Sequence, residues 1–163
     1  LARNTEDSRI DFQIVAGSGS NQRFDPGNTF GGIAPRAVDT SFNSMGYVNT
    51  GLVLAPDFAN LLCPSIGFST TPLPGSGFFG GMRLGATAFA FGRIENDAPL
   101  SFQTVDGGSN FVGSEVDFSL EWRLMSDLDL SIRYGVFMPN TDVFPNNQGG
   151  ARDFVYAGMT YAF

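Results

Sequence analysis

The sequence predicts an all-β fold: an antiparallel transmembrane β-barrel, with about six of its strands in these 163 residues. Three observations predict it. Apolar residues recur at every second position in six segments, which is the period of a strand and not of a helix. The connections are short on one side and long on the other, as in outer-membrane barrels. The stretch "VYAGMTYAF", Val155 to Phe163, keeps its alternation up to a final aromatic, where soluble chains usually trail into mobile polar residues.

The segments are taken in order. Residues 9–17 place Ile10, Phe12, Ile14 and Ala16 on one face, and Arg9, Asp11 and Gln13, with Val15, on the other. Residues 63–71 alternate weakly, with Ile66 and Phe68 against Ser65, Gly67 and Ser69. Residues 81–94 set Met82, Leu84, Ala86, Ala88 and Ala90 against Arg83, Thr87 and Arg93, but Phe89 and Phe91 fall on the polar side. Residues 114–124 oppose Val116, Phe118, Leu120, Trp122 and Leu124 to Glu115, Asp117, Ser119, Glu121 and Arg123. Residues 128–138 repeat the pattern, with Asp129, Ser131, Arg133 and Gly135 on the polar side. The last strand is 153–163.

Around "RLMSDLD" the sequence also sets a register. A connection through Met125, Ser126 and Asp127 places Leu124 opposite Leu128. The pairs Trp122–Leu130, Leu120–Ile132, Phe118–Tyr134 and Val116–Val136 follow. Arg123 then meets Asp129, and Arg133 lies diagonal to Glu121 and Asp117. Opposite charges across a strand pair stabilise by roughly 0.2–1 kcal/mol, and a slip of one residue would send every side chain to the wrong face.

Long loops, extracellular in a barrel, are expected at 19–62, 95–110 and 139–152, all rich in Gly, Pro, Asn and Asp. Tyr47 to Leu54 has some strand character, but a seventh strand would break the up-down order. Residues 46–62 are therefore read as loop, with a short helix at 57–62.

Alternation alone leaves two architectures open. A soluble barrel or sandwich points the apolar face inward; a membrane barrel points it at lipid and lines its lumen with the polar face. The asymmetric loops favour the membrane, as does the grouping of Trp122, Tyr161 and Phe163 as interface aromatics at strand ends on the short-turn side. A terminal strand in a closed barrel also avoids the hazard of an open edge. Facing Arg123 or Arg133 toward lipid would cost about 2–4 kcal/mol each at mid-membrane. Placing every charge on the lumen face avoids that cost. The expected lumen-lining residues are Arg9, Asp11, Gln13, Arg83, Arg93, Glu115, Asp117, Glu121, Arg123, Asp129 and Arg133.

Composition narrows the function. Only 15% of residues are charged, against about 25% in ordinary globular domains. The net charge of −7, with nine Arg and no Lys, argues against nucleic acid, whose phosphates need basic patches. No apolar run approaches the roughly 20 residues of a membrane helix. His is absent, which removes His-based hydrolysis and His-containing zinc sites, so no enzyme activity, metal or cofactor is expected. Cys63 has no second Cys to pair with. The carboxylates Glu115, Asp117 and Glu121 share one face but sit among arginines, which favours a charge-paired pore wall over a catalytic or Ca²⁺ cluster. Asp25, Asp39, Asp57, Asp106 and Asp142 lie in loops and read as solvated.

Two resemblances extend this reading. "YAGMTYAF" resembles the terminal assembly signal of Gram-negative outer-membrane barrels, with Tyr156, Gly158, Tyr161 and Phe163 at its marked positions. The resemblance implies recognition by the barrel-assembly machinery. Residues 40 to 145 also resemble the last part of alginate-export-type porins. The likeness rests on Phe42, Gly46 and Tyr47 at a loop start, on Asn60-Leu61 before a strand, and on "GSEVDFSLEWRLMSDLDLSIRYGVFMP" as the final hairpin. That family implies a large monomeric outer-membrane channel that passes an anionic polysaccharide or a small organic solute along an Arg-rich lumen. Here the same face carries Glu115, Asp117, Glu121 and Asp129 beside its arginines.

The expectation is therefore an outer-membrane porin for small hydrophilic or anionic solutes, saccharides among them. The alternative is a structural or interaction barrel with a plugged lumen and partner-binding loops; Phe89 and Phe91 on the inward face hint at it. A soluble barrel for an apolar ligand ranks third. Single-chain bacterial barrels begin at about 8 strands, so the segment is expected to be the C-terminal portion of a larger barrel, or to be completed by another chain. The expected partners are outer-membrane lipid, the assembly machinery and those further strands.

Overall fold

A computed structural model describes residues 8–20, 38, 40–42, 47–96, 98–100, 108–144 and 150–163. The fold is all-β. Six antiparallel strands form one sheet in the order β1 to β6, each paired with its sequence neighbours. They are β1 Arg9–Gly17, β2 Leu61–Thr70, β3 Met82–Gly92, β4 Phe111–Arg123, β5 Leu128–Pro139 and β6 Arg152–Tyr161. The sheet is open, with β1 and β6 at its edges. No α-helix occurs among the described residues; a single 3-10 turn, Phe79–Gly81, leads into β3.

The β4–β5 hairpin has the register its sequence sets. Leu124 N–H donates to Leu128 O (2.9 Å), Trp122 pairs with Leu130, Phe118 with Tyr134 and Val116 with Val136. This follows from agreement between the faces: the same register that joins apolar to apolar also joins Arg123 to Asp129. β3 continues the match, with Leu84 opposite Leu120 and Arg83 opposite Glu121.

Several boundaries differ from expectation, the start of β4 at Phe111 and not 114 among them. No helix forms at 57–62; Asn60 takes a left-handed turn (φ 58°) and Leu61 opens β2. β3 stops at Gly92, where the pairing with β4 shifts, so Arg93 lies outside it. β6 ends at Tyr161, and Phe163 lies beyond it, fully exposed. Tyr47 to Leu54 contains no strand. Parts of the three long loops, including Asp25, Asp39 and Asp106, lie outside the described residues.

The two faces differ in what covers them. The apolar face is open, with Phe12 77% and Ile14 75% exposed, and Ile66, Phe68, Phe118, Val155 and Met159 exposed beside them. The charged face is covered at its long-loop end. There Leu61, Cys63, Phe89, Phe91 and Phe137 are buried with Leu54, Leu100, Val112, Val143 and Phe144. The Phe91 and Phe137 rings meet edge-on at 5.9 Å, as do Phe137 and Phe144 at 6.2 Å. So the core of this sheet lies on the charged face and against its loops, and among the described residues no layer packs on the apolar face. No helix of the described residues is long and apolar enough to cross a membrane.

Candidate functional site

The charged face divides into two zones. At the short-turn end it is open and ion-paired. Arg123 Nε donates to Asp129 Oδ1 at 3.1 Å, and Arg133 Nη2 to Glu121 Oε1 at 3.0 Å. Ser131 Oγ reaches the same Glu121 oxygen at 3.4 Å, and Arg83 Nη2 donates to Ser69 Oγ at 2.9 Å. Arg83, Glu121, Arg123, Asp129 and Ser131 line an open groove of about 490 Å³ that Gly81 and Thr160 complete. The spacing comes from strand geometry: alternate residues on β3, β4 and β5 share a face, and the register sets opposite charges side by side. On the edge strand, Arg9 pairs with Asp11, two residues on along the same face. Arg9, Asp11 and Gln13 border a second recess of about 380 Å³, with Asn49, Ser65 and Thr87 opposite.

At the long-loop end residues 47–60 fold onto the charged face. Glu115 is 0% exposed, and its carboxylate accepts from three successive backbone N–H groups. Leu52 and Val53 donate to Oε1 (2.5 and 2.7 Å), and Leu54 to Oε2 (2.9 Å). A run of adjacent N–H groups in a turn makes an anion-binding nest, and here the anion is a side chain of the wall. Gly51 permits the turn. Its φ is +98°, and a Cβ there would lie 2.7 Å from Glu115 Oε1. Gly135 permits the close approach from the other side, since its Cβ would lie 2.9 Å from Val53 Cγ2 and 2.6 Å from Asp117 Oδ1. Asp117, 7% exposed, sits under the same loop, and neither of its carboxylate oxygens has a hydrogen-bond partner.

Asn60 fixes the loop's far end. Its Oδ1 accepts from Ile94 N–H (3.1 Å) and Glu95 N–H (2.8 Å). Its Nδ2 donates to the carbonyls of Glu95 and Ala98 (both 2.9 Å) and Pro99 (3.2 Å). Arg93 is likewise buried in loop contacts, donating to Ser109 O at 2.7 Å and Ala98 O at 3.4 Å. It ties the two ends of the β3–β4 loop together at the covered end of the face.

The structure therefore brings Arg83, Glu121, Arg123, Asp129 and Arg133 together, keeps Arg9, Asp11 and Gln13 at the β1 edge, and places Glu115 and Asp117 beneath the loop. The aromatic group at the short-turn end is larger than the sequence suggests. Trp122 stacks on Phe79 at 5.3 Å, meets Phe78 edge-on at 4.8 Å and donates its indole N–H to Phe78 O at 3.0 Å. Tyr161 stacks on Phe163 at 6.4 Å. Of the other residues marked in the terminal segment, Tyr156 lies over Gly158, whose Cβ would fall 2.5 Å from the phenol oxygen.

Sequence reasoning missed the Glu115 nest, Phe78 and Phe79. It noted Asn60 only as part of an Asn-Leu pair before a strand. Among the described residues no group of three His, Cys, Asp or Glu side chains converges to hold a metal. No protein-family model matches this chain, and no curated protein matches its sequence.

Proposed function

We propose that the chain contributes strands to an outer-membrane β-barrel channel for small hydrophilic solutes. The charged face lines the pore, and the apolar face meets lipid. The observation that carries this reading is the coverage of the two faces. A sheet in water hides its apolar side and exposes its charged side. Here, among the described residues, the apolar side is bare along β1 to β6, while loops and core collect on the charged side. Lipid is the surrounding that makes this arrangement stable, because each Arg turned toward mid-membrane would cost about 2–4 kcal/mol. The open sheet fits the same reading once its β1 and β6 edges pair with further strands, since unpaired backbone groups are not tolerated in lipid.

On this reading the Arg123–Asp129 and Arg133–Glu121 pairs are the wall of the wide part of the pore, and residues 47–60 are a constriction within it. Trp122, Phe78, Phe79 and Tyr161 stand at the periplasmic interface. Planar-bilayer recording of the full-length protein tests the proposal. Stepwise ion conductance is the expected result, and a barrel that inserts without conducting would overturn it.

One observation favours the second reading, a plugged barrel that binds partners through its surface loops. The inward loop and the Phe91–Phe137–Phe144 stack fill the charged face where a channel would be narrowest. The same recording separates the two, because a plugged barrel inserts silently.

A further inference from the structure

Glu115 and Asp117 are neighbours on one face of β4, and both are buried, but their surroundings differ. The Glu115 charge is met by three N–H groups. Asp117 has no such set of three donors. Its oxygens are buried without a hydrogen-bond partner. The nearest arginine on this face of β5, Arg133, is committed to Glu121. A buried carboxylate with no compensation is strongly disfavoured, so either a proton or a bound cation must cancel the negative charge at this point.

The space beside Asp117 indicates which. A recess of about 210 Å³ lies between the loop and the sheet, and Asp117 forms part of its wall. The other polar groups there are Asn49 from the loop, Thr87 from β3, Ser119 from β4 and the Glu121–Arg133 pair. Thr87 is the cross-strand partner of Asp117. Hydroxyl and amide oxygens around a single unpaired carboxylate are hard ligands for a hard cation. One unbalanced charge, with no third carboxylate, thiol or imidazole converging among the described residues, matches a singly charged ion better than a divalent metal.

We infer that the recess binds a dehydrated alkali cation, with Asp117 as its charged ligand and Asn49, Thr87 and Ser119 as neutral oxygen donors. The site stands on this geometry alone. Its consequence for transport rests on the channel reading above: a cation seat beneath the constriction loop makes Asp117 the residue that biases the pore toward cations.

The test is ²³Na relaxation of the full-length protein refolded in detergent micelles and titrated with NaCl. The expected result is saturable excess relaxation that Asp117→Asn abolishes and that Asp129→Asn, which removes an exposed ion-paired carboxylate from the same face outside the recess, leaves largely in place. Wild-type protein with no saturable excess overturns the inference whether or not the variants fold, and would mean that a proton cancels the charge. Equal loss in both variants also overturns it, because the relaxation would then report diffuse surface charge. Reversal potentials in a NaCl gradient form the second arm, and Asp117→Asn is expected to lower cation preference. A silent barrel that still shows the Asp117-dependent relaxation would refute the channel reading and leave the site intact.

Discussion

Removing the Glu115 carboxylate should release the loop it holds. Glu115→Ala takes away the carboxylate that accepts from the N–H groups of Leu52, Val53 and Leu54, at 2.5, 2.7 and 2.9 Å. Hydrogen bonds to a charged partner contribute about 1.5–3 kcal/mol each. The three are not independent, because a loop that opens takes all of them at once and lets water in. Relief of the desolvated charge offsets part of the loss. A net weakening of about 3 kcal/mol in loop closure follows, which is roughly a hundredfold in the open population. The assay is amide hydrogen exchange on the refolded protein. Leu52 to Leu54 should exchange roughly a hundredfold faster in the variant, while amides of the β4–β5 pairing keep their protection. Glu115→Gln, which keeps the shape and one carbonyl oxygen, should fall between the two. Unchanged exchange at Leu52 to Leu54 in Glu115→Ala would show that the nest does not hold the loop and that the aromatic core alone positions it.

Three other outcomes are expected. Arg133→Glu replaces a cation of the charged face and places two carboxylates against each other at Glu121, so reversal potentials should shift toward cation selectivity; unchanged potentials would mean that Arg133 does not line the pore. Asn60→Ala strips the amide that binds Ile94, Glu95, Ala98 and Pro99, and should destabilise the protein by about 2–4 kcal/mol in urea titrations, with buried polar groups left unsatisfied. Phe118→Arg, at a half-exposed site in the middle of the apolar face, should cost up to about 2–4 kcal/mol in lipid vesicles, as expected for a mid-membrane position. A change below about 0.5 kcal/mol is what a solvent-facing surface position would give, and would place that face in water.

The parts of the fold legible in the sequence are those where each face has one chemistry. β4 and β5 are apolar on one side and charged on the other over most of their length, so period, register and the Arg123–Asp129 pairing all follow from the residue order. Legibility fails where the charged face becomes core. Leu61 and Cys63 are buried on that face while Leu62 and Ile66 are exposed on the other. With both sides apolar the twofold period vanishes, and Asn60-Leu61-Leu62 reads as a helix end. The ambiguity at Phe89 and Phe91 has the same origin, since both belong to the buried cluster over which the loops fold.

The fate of the carboxylates has a different cause. Glu115, Asp117 and Glu121 are equivalent in pattern, each at an alternate position of one strand. Their environments are set by groups that a pattern of side chains does not display. Backbone N–H groups of a distant loop surround Glu115, a guanidinium and a hydroxyl meet Glu121, and Asp117 lies between them with neither. The boundary between the packed and open zones therefore passes along β4 between Glu115 and Glu121. That places a buried carboxylate without a hydrogen-bond partner where the loop ends and the groove begins. If the face lines a pore, an ion moving along it leaves a wall of balanced pairs and meets a net negative charge at the narrowing. The chemistry of that step is decided by Asp117, more than by the number of arginines on the wall.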